Sequence, residues 1–329
     1  MSVMRRALGV LVAIAATLPG STACSASPSG SAGADSSVQQ AIAQDPSSTF
    51  AASGAAAPCG WEKSATYRHV IWIWMENRAY NQILGPSGGA TRLASYAKAC
   101  GTATNYDGIS HPSLPNYIAA TSGSTHGITS DCDPSSCSVA GASLFSQLDA
   151  SGKSGWASYA ENMAKPCDQG SYGKYAARHN PAVYYSDLHA SCVSHDLAMG
   201  GTSGRFASRL AAGKLPGFTF ITPNLCDDGH DCSTATADSW LGYWLKQLTA
   251  STLYRAGKTV VFVTWDENDY SSASNQVATV VIAPTVSAGT RSHQHFTHYS
   301  LLRTTEDLLG VGHLGAAASA SSMRAAFTL

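Results

Sequence analysis

Charge is scarce in this chain. Of its 329 residues 12% are charged, and the formal net charge is −1. That leaves no electrostatic case for nucleic acid as a partner. Long apolar runs are scarce too. Ala7–Leu18 is the most sustained. It is too short to cross a bilayer comfortably, so a stop-transfer anchor is the weaker reading. No internal repeat is apparent. Nine cysteines are present without a single C-x-x-C pair, which counts against a zinc cluster.

What is present begins with an export signal. Arg5 and Arg6 supply a basic start, and Ala7–Leu18 the apolar region that follows. Small residues then lead to Cys24. Ser21-Thr-Ala-Cys24 is similar to a bacterial lipoprotein box, with Ser21 where leucine is usual. The expected organisation is a signal peptide over 1–23, a Ser/Ala/Gly-rich tether over 24–58 and one folded domain over 59–329. Lipidation of Cys24 would tether the protein to a membrane; removal of Cys24 with the signal is the other reading. Either way the protein is expected outside the cytoplasm, secreted or as a cell-surface lipoprotein. The other eight cysteines form an even set, as disulfides in an exported chain require. Eight cysteines allow about 105 connectivities; pairing neighbours in chain order, as Cys59–Cys100, Cys132–Cys137, Cys167–Cys192 and Cys226–Cys232, is the expectation taken among them.

The part beyond the tether is long enough for one large α/β domain. His69–Met75 is apolar on both faces, as a central parallel strand should be, and it ends in Glu76-Asn77. Thr259–Val263 is the clearest buried strand and runs out into Asp266-Glu267. Phe218–Ile221 precedes Asp227, Asp228, His230 and Asp231, which are either metal ligands or an acidic turn held by a disulfide. Further strands are expected over Trp156–Ala160 and Gln276–Ala283. Helices are expected near Leu93–Ala97, Leu144–Leu148 and Arg205–Ala212, after a cap at Asp238, and from His298 to Gly310. Between Glu161 and Gly201 periodicity fades and tyrosines gather at 172, 175, 184 and 185. With Cys167 and Cys192 at its ends, this stretch either covers a site or is a structural insertion.

The key stretch is Gly108-Ile-Ser-His-Pro-Ser-Leu-Pro-Asn-Tyr117. It puts Ser113 at the start of a short helix, with Pro115 in the first turn and Gly123 as the stop. Free N–H groups and a partial positive charge make such a place suitable for a phosphate or a developing anion. The plainer reading is that Ser113 is an N-cap. In an open parallel sheet the carboxyl-end loops collect along one edge. Ser113 would then meet Glu76, Asn77, Asp228, Asp266 and Glu267. That inventory suits metal-assisted displacement at phosphorus.

Five segments in order carry a resemblance. They are Trp74-Met-Glu-Asn77, His111-Pro-Ser-Leu-Pro-Asn-Tyr117, Pro223-Asn-Leu-Cys-Asp-Asp-Gly-His-Asp231, Thr264-Trp-Asp-Glu267 and His298-Tyr-Ser-Leu-Leu-Arg303. The chain resembles the bacterial phosphoesterase family that joins acid phosphatases and phospholipases C, within the alkaline-phosphatase superfamily. The resemblance implies a three-layer α/β/α sandwich with a mostly parallel central sheet. It implies Ser113 as nucleophile, and Glu76, Asn77, Asp266 and Glu267 around a divalent metal ion with the serine oxygen. It places Asn116 at a phosphoryl oxygen, and His298, Asp228 and His230 near the phosphate or a second cation. Glu76-Asn77 and Asp266-Glu267 differ from the ligand sets of two-zinc alkaline phosphatases, so the identity and number of metals stay open. The expected activity is hydrolysis of phosphomonoesters. The alternative is a phospholipase C on lipid diesters, with the tyrosine-rich stretch holding a choline cation. A metal-independent serine esterase, or a surface-binding protein without catalysis, would also be built on such a chain.

Overall fold

The computed structural model describes residues 40–41 and 57–329. The expected signal peptide, Cys24 and nearly all of the tether lie outside the described residues. Ten strands follow in chain order: β1 (His69–Met75), β2 (Gly101–Ala103), β3 (Tyr106–Asp107), β4 (Trp156–Ala160), β5 (Asp196–Ala198), β6 (Phe218–Thr222), β7 (Thr259–Trp265), β8 (Thr279–Ile282), β9 (Thr290–Ser292) and β10 (Phe296–Thr297). Eight form one sheet in the order β5-β4-β6-β1-β7-β8-β2-β9, and β3 pairs with β10 alone. The run from β5 to β7 is parallel throughout. β8 runs antiparallel to both its neighbours. An apolar run does not encode its direction, so the sequence located β8 without its orientation.

The apolar strands sit where burial on two faces demands. β1 and β7 pair along their whole lengths, from His69 opposite Thr259 to Met75 opposite Trp265. Every residue of β7 is buried, as is all of β1 after His69. Trp72 and Trp74 project from one face of β1. There Trp72 Nε1 donates to Thr305 Oγ1 at 3.0 Å, and Trp74 packs on Tyr117 and His298. The helices Ser113–Ser122 and His298–Leu309 cover that face. Ile71 and Ile73 point the other way and are also buried. The helices Thr91–Ala99 and Thr234–Ala250 pack on each other, and the first also packs on β8. The molecule is thus the expected layered α/β fold.

One capping expectation is corrected. The Thr234–Ala250 helix is capped by Ser233, whose side chain accepts from Thr236 N. Asp238 lies inside that helix and caps a different one. Its carboxylate accepts from Arg92 N at 2.8 Å and Leu93 N at 2.9 Å, the free donors at the start of Thr91–Ala99. The four disulfides pair in chain order, as expected. Cys167, Cys192 and Asp196 bring ligand-type atoms within 4.8 Å, but both sulfurs are bonded to each other. Among the described residues no helix is long and apolar enough to cross a membrane.

Candidate active site

β6, β1 and β7 are adjacent and parallel, so their carboxyl ends open on one edge. The backbone ties those ends together. Glu76 N donates to Asp228 O at 3.0 Å, and Asp266 N to Met75 O at 3.2 Å. Three acidic segments distant in sequence therefore converge. Ser113 reaches them from the face above as the first residue of its helix, after Pro112. Gly123 ends that helix in a left-handed conformation, where a side chain would collide with the Leu314 carbonyl.

Ser113 Oγ donates to Glu76 Oε2 at 3.0 Å and lies 3.5 Å from Glu267 Oε1. Ser113, Glu76, Asp228, Asp266 and Glu267 are all buried. Burial disfavours the charged form, and neighbouring carboxylates add to this. Glu76 is pushed up to about 7 and Glu267 to about 8, in both cases chiefly by burial. Asp228 and Asp266 are raised well above the usual carboxylate range for the same reason, with the charge of Glu76 second. Asn77 sits beside Glu267 and partly offsets its shift.

This donor set fits a divalent cation. Both carboxylate oxygens of Asp266 are buried without a well-formed hydrogen bond among the described residues. Grouping several carboxylates out of water is costly unless positive charge faces them. Hard oxygen donors of this kind suit such an ion.

Residues the sequence did not single out complete the site. The Tyr117 hydroxyl donates to Glu76 Oε1. His179 stands between Glu76 and Asp228, with Nε2 3.4 Å from Glu76 Oε1 and Nδ1 3.5 Å from Asp228 Oδ2. It stacks on Tyr117 at 5.4 Å, and burial holds its pKa well below the usual value. His111 Nδ1 is 2.5 Å from Glu267 Oε2. Arg178 lies at the margin, with Nε 3.6 Å from Asp131 Oδ2. Asp131 also accepts from Leu114 N at 2.9 Å, at the start of the Ser113 helix. Arg178 and His179 come from the stretch bracketed by Cys167 and Cys192, so that excursion contributes directly to the site. His111 and Tyr117 were visible within the key motif, flanking Ser113. Nothing in the periodicity marks His179.

Three expected roles change. The Asn116 side chain is taken up by backbone groups. Its Oδ1 accepts from Ile109 N and Ser110 N, and its Nδ2 donates to Ser110 O and Pro112 O. It holds the loop that carries Ser113. His298 is fully buried, with Nε2 2.5 Å from the Asp266 carbonyl and Nδ1 3.0 Å from the Tyr106 hydroxyl. Burial lowers its pKa to about 4. It holds the Asp266 backbone. His230 lies at the rim, with Nδ1 2.6 Å from Asp231 Oδ1 and Nε2 3.3 Å from Arg178. Of the four tyrosines, only Tyr172 is exposed. Tyr175, Tyr184 and Tyr185 are buried, with hydroxyls bonded to Asp168 O, Cys132 O and Thr121 Oγ1. The Tyr172 hydroxyl accepts from Ala164 N.

An acid phosphatase of Aspergillus fumigatus is 29% identical over 293 residues, 84% of this chain and 64% of that one. The chain therefore spans less than two thirds of that relative's length. A phosphatidylinositol-3-phosphatase of Mycobacterium tuberculosis is 31% identical over 274 residues, 81% of this chain and 86% of that one. Among solved structures, a Vibrio parahaemolyticus protein of the alkaline phosphatase superfamily superposes with a TM-score of 0.54 at 10% identity, covering 76% of this chain and 68% of that one. That likeness concerns the fold. Residues 88–312 match the Phosphoesterase family, and this chain belongs to it.

Proposed function

We propose that this protein is an exported, metal-dependent hydrolase of phosphoric esters that prefers phosphomonoesters and uses Ser113 as nucleophile. The observation that carries the proposal is the Ser113 hydroxyl held 3.0 Å from Glu76 Oε2 beside the buried carboxylate of Asp266. Relatives named as acid phosphatases and as a phosphatidylinositol phosphatase support monoesters. Three of the four tyrosines are buried and hydrogen-bonded, which weakens the choline argument for a phospholipase C. Disulfides support an oxidising compartment outside the cytoplasm.

Glu76, Asn77, Asp266 and Glu267 would hold a divalent ion with Ser113 Oγ. Such an ion supplies positive charge against the phosphoryl oxygens and favours the ionised serine. The chain's own part begins with the proton of Ser113, which lies on the line to Glu76 Oε2. As Oγ bonds to phosphorus, the proton passes to Glu76 and the P–O bond to the alcohol breaks. Glu76 gives that proton to the departing oxygen, which leaves as the alcohol. Water then attacks the phosphoserine and passes a proton to Glu76, the bond from phosphorus to Oγ breaks, phosphate leaves, and Glu76 returns the proton to Oγ. Tyr117 and His179 orient Glu76 throughout. Most of the rate would come from positioning and charge.

The test is hydrolysis of a chromogenic monoester beside the matching diester, with divalent ions returned after chelation. Ser113→Ala should lower kcat by at least about 1,000-fold while the protein stays folded. Substantial turnover in that variant would remove Ser113 from the role, and diester preference would move the reading to phospholipase C.

A further inference from the structure

Tyr270 is out of place by every local rule. It is 66% exposed, the most exposed of the described aromatic residues. Its φ of +61° lies in the left-handed region, which a bulky side chain rarely adopts. The surrounding loop nevertheless fixes it there. Asn268 Oδ1 accepts from Tyr270 N at 2.8 Å, and Asn268 Nδ2 donates to Ser272 O and Ser274 O. Asn275 then ties the loop to the nucleophile stretch, donating to Ser110 O at 3.0 Å and accepting from Asn268 N. An exposed ring in a strained conformation, held by a rigid hydrogen-bonded loop, is a placed ring.

Its place is the mouth of the site. One face stacks on His111, with ring centroids 4.1 Å apart and planes 28° apart. His111 in turn touches Glu267. Through His111 the ring stands beside the carboxylates, and its exposure leaves the face away from His111 open. A flat group on the substrate would complete the stack.

We infer that Tyr270, backed by His111, is a platform for the leaving alcohol and selects phosphate esters whose alcohol carries a planar ring. This rests on the phosphoesterase reading and deepens it. Tyr270 takes no part in bond making. It binds the ring alike in the ground and transition states, so its effect falls on KM.

The experiment compares p-nitrophenyl phosphate with glycerol 2-phosphate, which has no ring, on the full-length protein loaded with a divalent metal. Tyr270→Ala should lower the ratio of kcat/KM for the aryl over the glycerol ester by about 3- to 10-fold, through the aryl KM, as loss of a ring stack predicts. Tyr270→Phe keeps the ring and should keep the ratio. An unchanged ratio in Tyr270→Ala would overturn the platform. So would an equal fall for both esters, which would mark Tyr270 as structural. A ratio lost in Tyr270→Phe as well would overturn stacking and assign the effect to the hydroxyl. If the unaltered protein hydrolyses neither ester, the underlying phosphoesterase reading fails.

Discussion

Glu306 shows how a single buried group sets a condition on the fold. It is fully buried in the His298–Leu309 helix, away from the carboxylate site. Oε1 accepts from Leu314 N at 2.8 Å, and Oε2 has no hydrogen-bond partner among the described residues. Burial raises its pKa from 4.5 to about 8. An acid raised in this way binds its proton more tightly folded than unfolded. Its stabilising contribution is complete below pH 4.5 and is lost as pH climbs through 8. Glu306→Gln keeps the acceptor and removes the titration. The variant should therefore gain on the parent protein between pH 5 and pH 9, by about 1–3 kcal/mol. Thermal melts of the two proteins across that range measure it. Curves that stay parallel would remove Glu306 from the pH dependence. Other raised groups, such as Asp196 at about 7, titrate in both proteins and cancel in the difference.

The Cys167–Cys192 element joins fold to function. Its bridge closes a span of 25 residues, a constraint worth about 3 kcal/mol in chain entropy. Inside it, the short helix Ala177–His179 carries Arg178 and His179 to the site, and Pro181–Tyr184 follows it. Thr222 Oγ1 donates to the His179 carbonyl, and Asn180 Nδ2 to Asp196 Oδ2. Replacing both cysteines with alanine should lower kcat/KM about 10-fold at a temperature where the protein remains folded by circular dichroism, because local ordering fails before global stability. Undiminished kcat/KM would show that the hydrogen bonds alone anchor the segment. The same element marks the limit of what sequence discloses. β1 and β7 were legible because burial on both faces leaves an unbroken apolar run. The Ser113 helix was legible from its proline and its closing glycine. That disulfides form was legible from the even cysteine count; which cysteines pair was not, and the fold joins neighbours in the chain. His179 was not, because its contacts with Glu76 and Asp228 arise only in the folded chain. Asn116, His298 and Asp238 lie close to where they were expected, yet their side chains satisfy backbone groups that no residue pattern displays.

At the scale of the molecule, one edge of the sheet gathers buried carboxyl groups that are costly to ionise together. Parallel strand order forces Glu76, Asp228, Asp266 and Glu267 together, although the chain as a whole carries a net charge of only −1. Each strand end is fixed by buried neighbours, so the carboxylates cannot move apart to reach water. The fold therefore holds this edge under electrostatic stress that protons or a cation must relieve. At pH 7 the two routes compete, since Glu76 and Glu267 lie at about 7 and 8. A divalent ion that binds only the folded chain stabilises it by mass action, about 2.7 kcal/mol at a hundred times its Kd. Chelation should lower the melting temperature, and a returned ion should raise it in step with its concentration. Asp266→Asn should blunt that rise, because it removes a buried carboxylate oxygen that the ion would take. The effect should also grow from pH 6 to pH 9, as protons cease to compete for the same oxygens. Thermal melts with chelator and with graded divalent ion, at both pH values, decide the matter. A melting temperature indifferent to the ion at either pH would mean that protonation alone relieves the edge, and the metal would lose its place in the site.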